Sequence, residues 1–328
     1  MERPTRSQRG ARDIHRIEID VDWPPGHVAV TVIDGPEPVL IDAGMVGEHA
    51  RETLEAGLAD LGHDLSEIEH LVVTHPHVDH LGQIPAILEA ADPTVYVPVG
   101  VRDRLTREPS DLEAAVRTNA TQAGLSGSML EMAVDKSVES LERNRKLLPP
   151  KAVDHWIEDG QEFAVGGIGL RAIHTPGHQA DHCCYYGNFD GDLVLFSGDY
   201  LLAPFRSVVI HTGLDDGATE GVGAFYSTLD TLAALDVATV YPGHGPAHTA
   251  FQAKIERSRR SLDRMLDHTR DLIGAEPSTA ISIALERSGD REIQYVIPEV
   301  VGALAHLHSQ GRIQLTVDDG VNWYHTGD

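Results

Sequence analysis

The stretch that most restricts what this chain can become is Thr74-His75-Pro76-His77-Val78-Asp79-His80, which directly follows the apolar run Ile68-Glu69-His70-Leu71-Val72-Val73. Four groups able to ligate a metal, His75, His77, Asp79 and His80, lie within six residues. On a helix, side chains two positions apart point about 200° from each other, so His75 and His77 would diverge. On an extended or looped backbone alternate side chains share a side, and His75, His77 and Asp79 can face one pocket with His80 beside them. The preceding run is short, β-rich and bounded by polar residues, and Gly82 to Ala91 reads as helix. The expectation is a buried strand, a ligand loop at its end, and a helix behind the loop. Imidazole and carboxylate together suit zinc, iron or manganese. The chain has 19 histidines, so histidine alone signals little; a strand-end H-x-H-x-D-H cluster signals much more.

Bulk properties narrow the setting. A chain of 328 residues is long enough for one large domain and a small one. The formal net charge is −25, and lysine is scarce: Lys136, Lys146, Lys151 and Lys254 are the only four. We read this balance as adaptation to high salt, where self-repulsion is screened, with an ordinary acidic surface as the alternative. The charge disfavours nucleic acid as a partner, since that binding rests on phosphate neutralisation. Cys183 and Cys184 are adjacent and make a poor disulfide, so both read as core residues in a reducing compartment. There is no apolar stretch of 18 residues and no signal-peptide core. The expected protein is soluble and cytoplasmic, without a membrane partner.

Residues 1–13, with Arg3, Arg6, Arg9 and Arg12, read as a flexible N-terminal tail. Alternation predicts strands over Ile14 to Asp22 and His27 to Asp34, and a third over Pro38 to Ile41. Glu48 to Leu61 carries Leu54, Leu58 and Leu61 at helical spacing. Residues 99–150 break the strand-and-helix rhythm with helices at Asp111 to Thr121 and Met129 to Leu148, a helical insertion expected to form a lid or pocket wall. Strands return at Val153 to Ile157, Glu162 to Val165, Ile168 to Ile173, His182 to Tyr186, Leu193 to Phe196 and Val237 to Val240. Helices are expected at Phe225 to Leu235 and Ala250 to Leu272. The main domain thus spans 14–274. Residues 275–328 read as two helices and a short hairpin, a small winged-helix-like domain. It carries Arg287, Arg291 and Arg312 against eight acidic residues, which favours packing, dimerisation or pocket closure over nucleic-acid contact.

The ligand motif resembles that of the metallo-β-lactamase superfamily, and three further motifs follow in that family's order. Thr175-Pro176-Gly177-His178 resembles its third histidine motif, Ser197-Gly198-Asp199 its metal-bridging aspartate, and Tyr241-Pro242-Gly243-His244-Gly245 its last histidine. Asp42-Ala43-Gly44 matches a phrase whose aspartate supports the ligand loop from behind. The resemblance covers residues 14–250 or so and implies an α+β fold, the αββα sandwich with both sheets inside. It implies that His75, His77 and His178 hold one divalent metal, that Asp79, His80 and His244 hold a second, and that Asp199 bridges both. Zinc leads, with iron or manganese as alternatives. His174 and His182 flank His178 and compete with it; Arg206 reads as a solvated loop arginine rather than an anion anchor.

What the resemblance implies chemically is hydrolysis by a metal-bridging hydroxide, with Asp79 as the catalytic group that orients it and shuttles its proton. The first reading is a dinuclear hydrolase of a small acyl compound, a thioester or ester, similar to glyoxalase II enzymes. An endoribonuclease or phosphodiesterase of the winged-helix branch is the alternative. A mononuclear iron persulfide dioxygenase, using only His75, His178 and Asp199, is the third. The expected partner is a small-molecule substrate, with a homodimer through the C-terminal domain as a further expectation.

Overall fold

The computed structural model describes residues 13–289 and 291–326, so the tail expected at 1–13 lies almost wholly outside the described residues. The first sheet opens with a hairpin, β1 (Ile14–Asp20) and β2 (His27–Ile33), in antiparallel register from Ile14 opposite Ile33 to Asp20 opposite His27. β3 (Val39–Ile41) pairs antiparallel with β2. β4 (His70–Val72), β5 (Thr94–Pro98) and β6 (His155–Ile157) then extend the sheet in parallel, giving the order β1-β2-β3-β4-β5-β6. Parallel neighbours require crossovers. Here these are α1 (Glu48–Asp60) before β4, the pair α2 (Val78–Leu81) and α3 (Ile84–Ala90) before β5, and the insertion α4 (Val99–Thr106), α5 (Pro109–Gln122) and α6 (Gly127–Leu147) before β6.

The second sheet runs β7 (Glu162–Val165), β8 (Ile168–His174), β9 (Cys183–Phe189) and β10 (Asp192–Gly198) as antiparallel neighbours. α7 (Gly221–Ala233) then carries the chain over to β11 (Thr239–Pro242), parallel to β10. Two long helices, α8 (Phe251–Asp271) and α10 (Ile293–Ser309), flank the shorter α9 (Ala280–Ser288), and the hairpin β12 (Gln314–Asp318) with β13 (Val321–His325) ends the described chain.

Three buried clusters define four layers. Val39, Ile41 and Val72 of the first sheet meet Leu170, Ala172, Tyr185 and Phe196 of the second. The outer face of the first sheet, with Val30, Leu40, Leu71 and Val95, packs on Leu54, Leu58, Ile84 and Ile87 of its helices. The outer face of the second, with Ile173, Cys184, Leu195 and Val240, packs on Phe225, Leu229, Leu262 and Leu266. This is the expected αββα sandwich. Leu54 and Leu58 lie one turn apart on α1 and are fully buried, each stabilising by about 1.5–3 kcal/mol relative to exposure. Cys183 and Cys184 point to opposite faces of β9, into the inter-sheet and the outer cluster, and both thiols are free, as a period of two dictates.

The helix α4 was not expected, α7 begins at Gly221 rather than Phe225, and two details beside the ligand loop also differ from the sequence reading. β4 is shorter than the run 68–73, because a turn at Leu65–Glu67, closed by the Asp64 capping box, delays strand entry. The helix expected from Gly82 begins earlier, with His77 at its N-terminal boundary, and breaks where Gly82 touches the backbone of Met45. A Cβ at Gly82 would stand 2.2 Å from the Met45 carbonyl carbon. Asp79 and His80 therefore sit on a helical turn, while His75 and His77 precede it. The C-terminal order of helix, helix and hairpin is as expected, and Ile281, Ile283, Val300 and Leu304 share the outer cluster with α7 and α8.

Candidate metal centre

The ends of four strands converge on one buried pocket. His75 follows β4, His178 follows β8, Asp199 follows β10 and His244 follows β11. His75 Nε2 lies 2.9 Å from His77 Nδ1, which lies 3.1 Å from His178 Nε2. Asp199 Oδ2 is 3.2 Å from His178 Nε2. On the other side, Asp79 Oδ2 is 3.2 Å from His244 Nε2 and 3.8 Å from His80 Nε2. Asp199 Oδ1 reaches this second group too, 3.3 Å from His80 Nε2 and 3.5 Å from His244 Nε2. All seven residues singled out in the sequence come together, as His75, His77, His178 and Asp199 in one group and Asp79, His80 and His244 in the other.

Each ring is turned by its outward nitrogen. His75 Nδ1 is 3.0 Å from Thr74 Oγ1, and His80 Nδ1 donates to Asp42 Oδ2 at 2.7 Å. His178 Nδ1 donates to the Val208 carbonyl at 3.0 Å, and His244 Nδ1 to that of His27 at 2.7 Å. These four rings keep Nε2 free to face inward. His77 is reversed: its Nε2 lies 2.6 Å from the Gln179 amide, and Nδ1 faces in. Asp42, 2% exposed, is a hub whose Oδ1 accepts the Thr74 N–H and whose Oδ2 accepts the Thr74 hydroxyl and His80. It holds a φ of 62°, a left-handed backbone that a short polar side chain tolerates best.

The donor set fits divalent metal. Among the described residues His80 Nε2 and Asp199 Oδ1 are buried without a hydrogen-bond partner, and both face the pocket between the two groups. An ion about 2.0–2.1 Å from tetrahedral nitrogen ligands separates them by roughly 3.3 Å, close to the spacing of the imidazole nitrogens here. Burial, reinforced by neighbouring imidazoles, pushes His77 down to about 3 and His75 well below its ordinary value. Those rings are neutral and keep their lone pairs for a cation. Burial acts the same way on His80, but Asp42, Asp79 and Asp199 outweigh it and raise this ring well above its usual range. The carboxylates thus draw positive charge to the second group.

The rival histidines are excluded by their bonds. His182 uses Nδ1 on Thr175 Oγ1 at 2.7 Å and accepts the Asp199 N–H on Nε2 at 3.1 Å, so it supports the loop from behind. His174 is exposed and meets the Ala180 carbonyl at 2.6 Å. Arg206 overturns its sequence reading: the side chain is 8% exposed and its guanidinium pairs with the buried Glu299 at 2.7 Å. A loop arginine carries no periodic signal of burial; the one cue lay elsewhere, in a lone glutamate amid the apolar run of α10. Other residues escaped notice. Asn144 of α6 donates to the Pro76 carbonyl at 2.8 Å, so the insertion holds the ligand loop itself. Arg16 of β1 reaches the carbonyls of Pro242 and Gly245 on either side of His244.

Four layers enclose a His/Asp pocket at the strand ends whose donor set suits divalent metal. A family model described as the metallo-beta-lactamase superfamily matches residues 23–244, and the chain belongs to that superfamily. It is 25% identical over 303 residues to an atrochrysone carboxyl ACP thioesterase of Emericella nidulans, covering 89% of this chain and 78% of that protein. It is 24% identical over 311 residues to the probable metallo-hydrolase YqjP of Bacillus subtilis, covering 92% and 94%. The crystal structure of a metallo-beta-lactamase family protein from Thermus thermophilus superposes with a TM-score of 0.78 at 23% identity, covering 96% of this chain and 98% of the other. The protein is a metallo-hydrolase of the superfamily. No helix among the described residues is long and apolar enough to cross a membrane.

Proposed function

We propose that the protein is a dinuclear metal-dependent hydrolase of a small acyl compound, a thioester or an ester. The observation that carries this reading is Asp199, whose two oxygens face the two ligand groups separately, Oδ2 toward His178 and Oδ1 toward His80 and His244. His75, His77 and His178 would hold one divalent ion and Asp79, His80 and His244 the other, with Asp199 between them. When bound, a pair of dications exceeds the two carboxylates in charge, brings the pKa of water toward neutrality and stabilises a developing oxyanion. Asp79, with Oδ2 turned to His244, keeps its second oxygen to orient the attacking water and take its proton. The water oxygen adds to the acyl carbon, the carbon–sulfur or carbon–oxygen bond breaks, and the proton passes to the departing thiol or alcohol.

Likeness to a thioesterase supports the thioester, and the net charge of −25 weighs against RNA. The test is turnover of a panel of acyl thioesters, carboxylic esters, phosphodiesters and an RNA oligonucleotide, with and without chelator. Thioester or ester turnover that chelation abolishes and zinc restores is expected. RNA or phosphodiester cleavage without acyl turnover would overturn the reading, and so would one iron per chain with persulfide oxidation.

A further inference from the structure

We infer that Glu299 on α10 is a positioning residue for His178, acting through a single peptide group as a carboxylate–peptide–imidazole relay. The inference rests on the proposed metal centre, because it treats His178 Nε2 as a ligand atom. The Val208–Val209 peptide is the link. Its carbonyl oxygen accepts His178 Nδ1–H at 3.0 Å, and its N–H donates to Glu299 Oε1 at 3.3 Å. A peptide group is planar with C=O and N–H opposed, so fixing one end aims the other. An anion on the N–H also polarises the carbonyl, strengthening it as an acceptor for the imidazole. Metal-bound histidines usually give their outer N–H to a carboxylate or a carbonyl; here a carbonyl does it with a carboxylate behind.

The surrounding bonds show how closely this segment clasps His178. Ile210 N and His211 N donate to the His178 carbonyl at 3.1 and 2.9 Å, and His211 N also reaches that of Gly177. Ring and backbone of His178 are thus held by one stretch, residues 208–211, which belongs to no helix or strand. What fixes that stretch is the α10 carboxylate and its cations. Arg206 Nη2 donates to Glu299 Oε1 at 2.7 Å, Arg206 Nη1 donates to the Ser207 carbonyl, and Arg287 Nη2 donates to Glu299 Oε2. The side chains of Glu299, Arg287 and Arg206 are 2%, 7% and 8% exposed. A buried ionic triad is a poor source of stability, since well-packed apolar side chains often do as well or better. An apolar side chain cannot, however, accept the Val209 N–H. That directional bond is what the triad supplies, and it ties the C-terminal segment to the metal pocket.

The test compares Glu299→Gln, which leaves an uncharged acceptor, with the triple replacement R206M/R287M/E299M, which keeps bulk and removes the acceptor. Leu304→Ala, a buried change on the same helix, serves as the purely structural control. Zinc affinity is read by competition with a chelator, the ligand field by the visible spectrum of the cobalt-substituted protein, and folding by thermal melting. The triple variant should melt no lower than wild type yet bind one zinc about 10-fold more weakly, with a shifted cobalt spectrum. Glu299→Gln should lie between the two. Leu304→Ala should melt lower with unchanged zinc affinity and spectrum. Wild-type affinity and spectrum in the folded triple variant would overturn the relay. Retention of both ions by His178→Ala would overturn the metal-centre reading, and the relay with it.

Discussion

His80 and His178 sit on opposite sides of Asp199, and their outer nitrogens are anchored by different routes. His80 Nδ1 donates straight to Asp42, a buried carboxylate that also holds Thr74 at the start of the ligand loop. The outer nitrogen of His178, Nδ1, reaches a carboxylate only through the Val208–Val209 peptide, and that carboxylate, Glu299, comes from late in the chain. The first anchor lies within one sheet and its crossover; the second joins the sandwich to α10. In both, the imidazole has an anion behind it, directly or across one peptide. Orientation of a ligand thus depends on where the anion is placed, and the fold places it locally on one side and remotely on the other.

Replacing Asp199 should break both sides at once. Asp199→Ala is expected to lose activity by about 10³-fold or more, the scale on which deleting a single transition-state-stabilising group acts, measured as kcat/KM on whichever acyl substrate the panel identifies. An active variant would refute its place between the groups. Asp42→Ala should strike the His80 side selectively. It strands the Thr74 N–H and His80 Nδ1–H, so zinc affinity should fall by about 10–100-fold and folding stability by on the order of 3 kcal/mol, read by chelator competition and denaturant melts.

The Glu299 side has a pH signature. Burial raises this carboxyl, but Arg206 and Arg287 prevail and bring it from 4.5 down to about 2. A depressed folded value means stability that is complete above the unfolded value and lost as pH falls through the folded one. Melts of the metal-free protein between about pH 5 and 2 should therefore show wild type losing up to about 3 kcal/mol relative to Glu299→Gln. Parallel curves would contradict the ion pairs. Asn144→Ala is the mildest probe: it strands the Pro76 carbonyl under the ligand loop and should cost about 1–3 kcal/mol, with zinc affinity falling less than in Asp42→Ala.

Much of the site was legible because its ligands travel in short strings fixed to strand ends. Thr74 to His80, Pro176-Gly177-His178, Gly198-Asp199 and Gly243-His244 each carry their geometry in a few consecutive residues, and Asp42-Ala43-Gly44 marks the hub. The sandwich followed from apolar runs separated by helical spacing. What the sequence hid acts over distance. Arg206 and Glu299 are 93 residues apart, and nothing in a loop arginine announces a buried partner. Asn144 is one polar position among many on α6, and its reach to Pro76 depends on how the insertion folds back. The early start of α2 was missed because histidine and proline gave the motif the look of a pure loop.

The most direct test counts the ions. Protein purified, stripped and reloaded with zinc, then freed of excess metal, should carry two zinc per chain by elemental analysis, and Asp199→Ala treated identically should carry fewer than one. One ion or none in the wild type, or two retained by Asp199→Ala, would contradict an aspartate shared between two cations.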